Sequence, residues 1–207
     1  MATYGEAVDL ILTELSRSDT SITAVVEREF IKAIEYYATE RFWFNEARIS
    51  FTASNTIYYP LANLSANMVE IDQLSATING TVCDLMPATH SELQSMDASG
   101  ATGQPTHWAI FAEQIRLYRK AASGSTYQID LMGTKELASL TASTQSNAWT
   151  TEALNLIAAR VEKVVSARKF KDFDAAQMYA VAEEQELAKL QQRTERLISS
   201  GKIRPGY

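Results

Sequence analysis

The sequence predicts an α+β fold in which N- and C-terminal helices form one bundle and a small antiparallel β-sandwich or barrel is inserted between them. Three observations predict it. Apolar residues recur at helical spacing toward both ends of the chain, they recur at every second position in the middle, and an Asn79-Gly80 pair separates two alternating segments. The boundaries that follow are residues 1–46 and 148–200 for the bundle, 47–147 for the β-rich insert and 201–207 for a C-terminal tail.

At the N-terminal end Val8, Ile11, Leu12 and Leu15 form one apolar stripe, and Val26, Phe30, Ile34 and Tyr37 form another. Two helices are expected, separated by a turn-rich stretch at 17–21, with Ser21 or Thr23 able to cap the second. Past residue 47 the period changes to two. Ile49, Phe51 and Ala53 alternate with polar neighbours, as do Ile57, Tyr59 and Leu61. Residues 69–71 and 74–78 continue the pattern up to Asn79-Gly80, a pair that readily takes the positive φ values of a tight hairpin. Residues 87–96 suit a short helix, 99–105 a loop, and 108–111, 115–118 and 127–131 three further strands. Residues 138–147 have no period and read as a surface connection. From Thr150, Leu154, Ile157, Val161 and Val164 mark a long helix that Thr150 or Thr151 can cap. Ala175, Met178, Ala182, Leu187, Leu190 and Leu197 mark the apolar stripe of a last helix, ended by Ser199-Ser200-Gly201.

Composition bounds the function. The chain of 207 residues is 46% hydrophobic and 21% charged, values of a globular domain large enough to bury a core without disulfides or metals. A net charge of −6 argues against free nucleic acid as the main ligand. The charge is uneven. Residues 1–50 hold nine acidic groups against five basic, and residues 141–207 hold eight against ten, so the two ends suit different partners. With one cysteine no intrachain disulfide can form, and the N-terminus lacks the pattern of a signal peptide. Synthesis in the cytoplasm and no membrane insertion are expected.

Catalytic and cofactor motifs are missing. His90, His107 and Cys83 have no metal-ligand spacing, and Gly100-Ala101-Thr102-Gly103 lacks the Lys-Ser/Thr of a phosphate loop. No nucleophile elbow occurs. Cys83 follows an apolar strand residue and is expected to be a buried, inert thiol, and His107 a strand histidine held by a backbone partner. Glu183, Glu184 and Glu186 read as a solvated helix face with Lys189 three residues from Glu186. Tyr36-Tyr37 and Phe42-Trp43-Phe44 read as filling at the helix-to-strand junction. Neither an enzyme nor a cofactor protein is expected.

One stretch of the string carries a resemblance. Arg41-Phe42-Trp43-Phe44-Asn45-Glu46 precedes the alternating strands, and Gly103-Gln104-Pro105-Thr106-His107-Trp108-Ala109-Ile110-Phe111 precedes Ile115-Arg116-Leu117-Tyr118. Asn147-Ala148-Trp149-Thr150 then opens the C-terminal helices, and a Leu- and Gln-containing helix over 186–197 closes the chain. This order of motifs resembles the tail adaptor, or head-to-tail connector, family of short-tailed bacteriophages. The resemblance implies a structural virion protein: one subunit of a twelve-membered ring that binds beneath the portal, offers a surface to tail nozzle and fibre proteins, and lets DNA pass through its lumen. It also implies that the bundle makes the ring contacts and that the C-terminal segment reaches the portal. An acidic wall would let DNA slide without sticking. In the tail, Ile203, Arg204, Pro205 and Tyr207 combine an apolar anchor, a guanidinium and an aromatic ring, residue types that interfaces favour. The alternative of another class is a β-rich carbohydrate- or ligand-binding module stacking its ligand on Trp43, Trp108 or Tyr118.

Overall fold

The computed structural model describes residues 2–16, 20–64, 68–96 and 100–199. The chain is mixed α/β and divides into two compact units, one of residues up to Asn45 together with those from Leu137 onward, the other Glu46–Glu136.

In the first unit, helices α1 (Tyr4–Glu14), α2 (Thr20–Tyr37), α5 (Ala148–Thr151), α6 (Leu154–Val165) and α7 (Phe173–Ser199) contribute to one hydrophobic core, while the short helices α3 (Leu61–Leu64) and α4 (His90–Met96) lie in the second unit. Ile11 and Leu12 of α1 meet Val26, Phe30 and Tyr37 of α2, Leu156, Ile157 and Val161 of α6, and Leu190 of α7. Helices from both ends of the chain thus bury their apolar stripes together, which removes more surface from water than either end could alone. Helix α1 starts in a capping box. The Glu6 N–H donates to Thr3 Oγ1 and the Thr3 N–H to Glu6 Oε2, at 3.3 and 2.8 Å. Two more of its first-turn amides donate to the loop before α5, Tyr4 N to Gln145 O and Gly5 N to Ser143 O. That loop lies in the aperiodic stretch 138–147. Leu140 anchors it in the helical core, and the Gln145 side-chain oxygen accepts the N–H groups of Thr141 and Ala142.

Some caps differ from expectation. Helix α2 starts at Thr20, so Ser21 and Thr23 lie inside its first turn. Asn147, not Thr150 or Thr151, caps the short α5, accepting the Trp149 N–H at 2.9 Å while its own N–H donates to Thr150 Oγ1, and the long α6 starts after Ala153 with no side-chain cap. Between α6 and α7 the helix widens into a π-turn at Ser166–Phe170, closed by Lys171 in the left-handed region at φ 59°.

The second unit is a seven-stranded curled sheet with the order β1-β7-β3-β4-β5-β6-β2, made of Glu46–Ala53 (β1), Tyr58–Pro60 (β2), Met68–Ile78 (β3), Thr81–Pro87 (β4), His107–Phe111 (β5), Gln114–Tyr118 (β6) and Tyr127–Lys135 (β7). Asn79 and Gly80 both adopt positive φ, 51° and 81°, and join β3 to β4 with Ile78 opposite Thr81, as the hairpin signal requires. The pairing is not wholly antiparallel. Residues 81–85 of β4 pair antiparallel with β3, whereas Met86 and Pro87 pair in parallel with His107 and Trp108 of β5. The chain between β4 and β5 makes this possible, because it holds helix α4 (His90–Met96) and a loop long enough to return to the same end of the sheet. By changing partner along its length β4 turns the corner between the two halves of the sheet. The inner face buries Leu74, Leu85, Trp108, Ile115, Leu117, Ile129 and Leu131. Leu61, expected in a strand, instead opens the single-turn helix α3 (Leu61–Leu64).

Gly133 in β7 lies opposite Ala47 of β1 and Ile71 of β3, where β3 shifts register, and a Cβ there would overlap the Glu70 carbonyl oxygen. Gly133→Ala is therefore expected to destabilise the protein by ~1–3 kcal/mol. Gly80→Ala, which meets only open space at a positive φ, should cost no more than about 1–2 kcal/mol. Thermal melts of the two variants against the parent check the order of these effects.

Candidate interaction surfaces

The polar centre of the helical unit is Glu183. This residue of α7 is 5% exposed and faces α2 and α6, and three donors converge on its side chain. Tyr37 Oη donates at 2.6 Å and Arg160 Nη1 at 2.8 Å to Oε1, and Lys163 Nζ pairs with Oε2. Burial alone would raise its pKa, but the bonds from Lys163, Tyr37 and Arg160 together outweigh burial and hold it below the usual carboxylate range. The Tyr37 phenol is pushed up, by burial first and then by the Glu183 carboxylate, so it remains a donor. Arg160 also lies over the Tyr36 ring at 3.3 Å. Glu183 is thus not part of a solvated face. Glu184 is exposed, and the half-buried Glu186 pairs with Lys189 at 2.6 Å.

The opposite side of α7 is uncovered. Phe173 and Met178 are each 68% exposed and Val181 is half exposed, so Met178, expected in the apolar stripe, points outward, as does Leu197. Helical spacing places Asp174 and Glu184, both exposed, along the same outward side as Phe173, Met178 and Val181. An exposed apolar strip with charged flanks is the usual mark of a contact surface.

A second surface is a cleft of about 380 Å³ between α2, α6 and the π-turn, lined by Val25, Arg28, Lys32, Val164, Arg168 and Lys169 above Glu29. Arg28 Nε and Lys32 Nζ both reach Glu29 Oε1, at 3.0 and 3.1 Å. Burial raises the Glu29 pKa, while the bonds from Lys32 and Arg28 more than offset it and keep the carboxylate ionised. Arg168 and Lys169, exposed on the π-turn, form no ion pair among the described residues. Sequence reading passed over this cleft. Its available signals were the basic run Arg168-Lys169 with Lys171 beyond Phe170, and Arg28 and Lys32 at i, i+4 on one helix face.

The remaining candidates serve structure. Trp108 is 6% exposed and donates its Nε1–H to the Leu85 carbonyl. Trp43 is half-buried against the helical core with the Arg193 guanidinium 4.1 Å above it, and Phe42 and Phe44 stack on each other and meet Trp149 edge-on. Tyr118 is half-buried under Arg119. His107 Nδ1 is 2.9 Å from Thr106 Oγ1, a side-chain partner and not the expected backbone one, and His90 stacks on Phe111. Cys83 is exposed and not buried, because residues 81–84 form the outer half of a hairpin that only Leu85 ties into the core. Gly100 and Gly103 lie in a loop at positive φ. No group of three or more His, Cys, Asp or Glu among the described residues is placed to hold a metal. Ile203, Arg204, Pro205 and Tyr207 lie outside the described residues.

The family model described as SU10 adaptor protein matches residues 2–205. The chain belongs to the SU10 adaptor protein family. The match spans both units, and it agrees with the resemblance carried by the Phe42-Trp43-Phe44 and Gln104-Pro105 motifs. No curated protein matches the chain. As an SU10 adaptor family member it is a structural component of a phage virion, consistent with a tail adaptor. Among the described residues no helix of the SU10 adaptor chain is long and apolar enough to cross a membrane.

Glu162, buried on α6 of this adaptor, gives the helical unit a pH dependence. Burial, followed by hydrogen bonding and charge from Glu14 of α1, pushes its carboxyl up to about 9. The folded protein therefore holds a proton that the unfolded chain releases near pH 4.5. The corresponding stability is complete below that pH and is lost progressively as pH rises toward 9. Glu162→Gln, which keeps the shape without the proton, should raise stability at pH 8 by at least ~1 kcal/mol, about 2–4 °C in Tm. The difference from the parent should shrink at pH 5, as paired thermal melts would show.

Proposed function

We propose that the protein is the tail adaptor of a short-tailed phage, forming a dodecameric ring between the portal and the tail nozzle through whose lumen DNA passes. The family match over residues 2–205 carries this reading. In it, residues 1–46 and 148–200 act as one bundle that makes the ring contacts, and residues 47–147 form the insert. Ile203, Arg204, Pro205 and Tyr207 of the tail 201–207 reach the portal, while nozzle and fibre proteins dock on the ring. The uncovered apolar strip of α7 supports an assembling role, since Phe173, Met178 and Val181 would otherwise remain in water. Net acidity supports a lumen that repels the phosphate backbone. The virion neck is the place this reading gives the protein.

Electron microscopy of the cognate portal mixed with this protein is expected to show an added twelve-fold layer. Deleting residues 202–207 should remove that layer while leaving the thermal melt of the chain unchanged. A layer that survives the deletion would transfer portal binding to another segment, and no layer with the full chain would overturn the adaptor reading.

A further inference from the structure

Two surfaces of the helical unit are complementary to each other and lie on different helices. The cleft between α2, α6 and the π-turn offers Arg28, Lys32, Arg168 and Lys169 around three valines, with Glu29 as its one carboxylate. Glu29 is already shared by Arg28 and Lys32, so the cleft keeps a surplus of positive charge in a chain whose net charge is −6. The outward face of α7 offers the reverse, with Asp174 and Glu184 flanking Phe173, Met178 and Val181. The π-turn lies immediately before α7 in the chain, and Ser166–Phe170 bears Arg168 and Lys169. Such a widened turn costs helix regularity and occurs often where a surface is used.

We propose that the basic cleft of one copy receives the acidic, apolar face of α7 from a second copy of the same chain. This rests on the proposed ring and names its subunit contact. The donor and acceptor patches are different surfaces, so the contact is heterologous: each copy gives one face and takes another, an arrangement that forms a ring when the rotation between copies closes. Charge complementarity sets direction and register, and the valines, Phe173, Met178 and Val181 supply the apolar burial. A nucleic-acid backbone fits the cleft less well. A buried carboxylate forms part of its lining, and phosphate binding calls for an extended basic track, not one confined to a cleft of about 380 Å³.

The experiment is a charge swap on the full chain, scored by ring formation on the cognate portal in negative-stain images. Arg168→Glu with Lys169→Glu is one variant, Asp174→Lys with Glu184→Lys the second, and all four changes together the third. All four side chains are exposed, and circular dichroism with a thermal melt checks that each variant folds. Each two-site variant should lose at least tenfold in ring yield, the four-site variant should recover most of it, and added salt should weaken the parent ring. Full ring yield from either two-site variant overturns the inference, as does a four-site variant that folds but forms no ring. Loss of DNA retention by the first variant with rings intact would also overturn it, assigning the cleft to phosphates. If the unaltered chain forms no ring, the adaptor reading falls and this inference with it.

Discussion

The buried carboxylate of Glu183 is the constraint from which the arrangement of the long helices follows. A charged group taken out of water costs several kcal/mol unless partners surround it. Tyr37 on α2 and Arg160 and Lys163 on α6 converge on this one group of α7. Sliding or rotating α7 by one residue would leave an acid and two bases unsatisfied together, so the contact sets the register of α7 more sharply than its apolar stripe can. Apolar packing by Leu190 and Ala176 on the same side tolerates small shifts, whereas the hydrogen bonds do not.

Once Glu183 faces inward, helix geometry determines what faces outward. Met178 and Val181 then lie on the far side of α7 with Phe173 at its edge, and all three stay half exposed or more. A polar pin inside the unit thereby leaves an apolar strip exposed outside it. The π-turn has a related role: by widening the helix just after α6, it displays Arg168 and Lys169 at the rim of the α2 cleft. In an adaptor, whose task is to hold other proteins in place, a rigid interior with adhesive faces is the expected division of labour.

What was legible in the sequence was local. The apolar periods of Val8 to Leu12 and of Leu154 to Val161, and the Asn79-Gly80 turn, are properties of short stretches whose outcome does not depend on distant partners. Where the outcome depended on distant chain, the pattern gave no warning. The change of partner along β4, from β3 to β5, requires knowing where the loop after α4 returns. The exposure of Cys83 depends on how far the hairpin extends past its neighbours, which alternation alone does not encode. Glu183 looks like Glu184 in the string and differs from it through Tyr37, Arg160 and Lys163, all distant in the chain. Family membership was legible for the opposite reason, since it rests on motif order along nearly the whole chain and not on any one environment.

The most direct test of the account is cryo-electron microscopy of the neck of the intact virion. The account predicts a ring of this chain adjoining the portal, with its helical units in contact around the lumen. Density for the protein elsewhere in the particle, or a neck without it, would contradict the account.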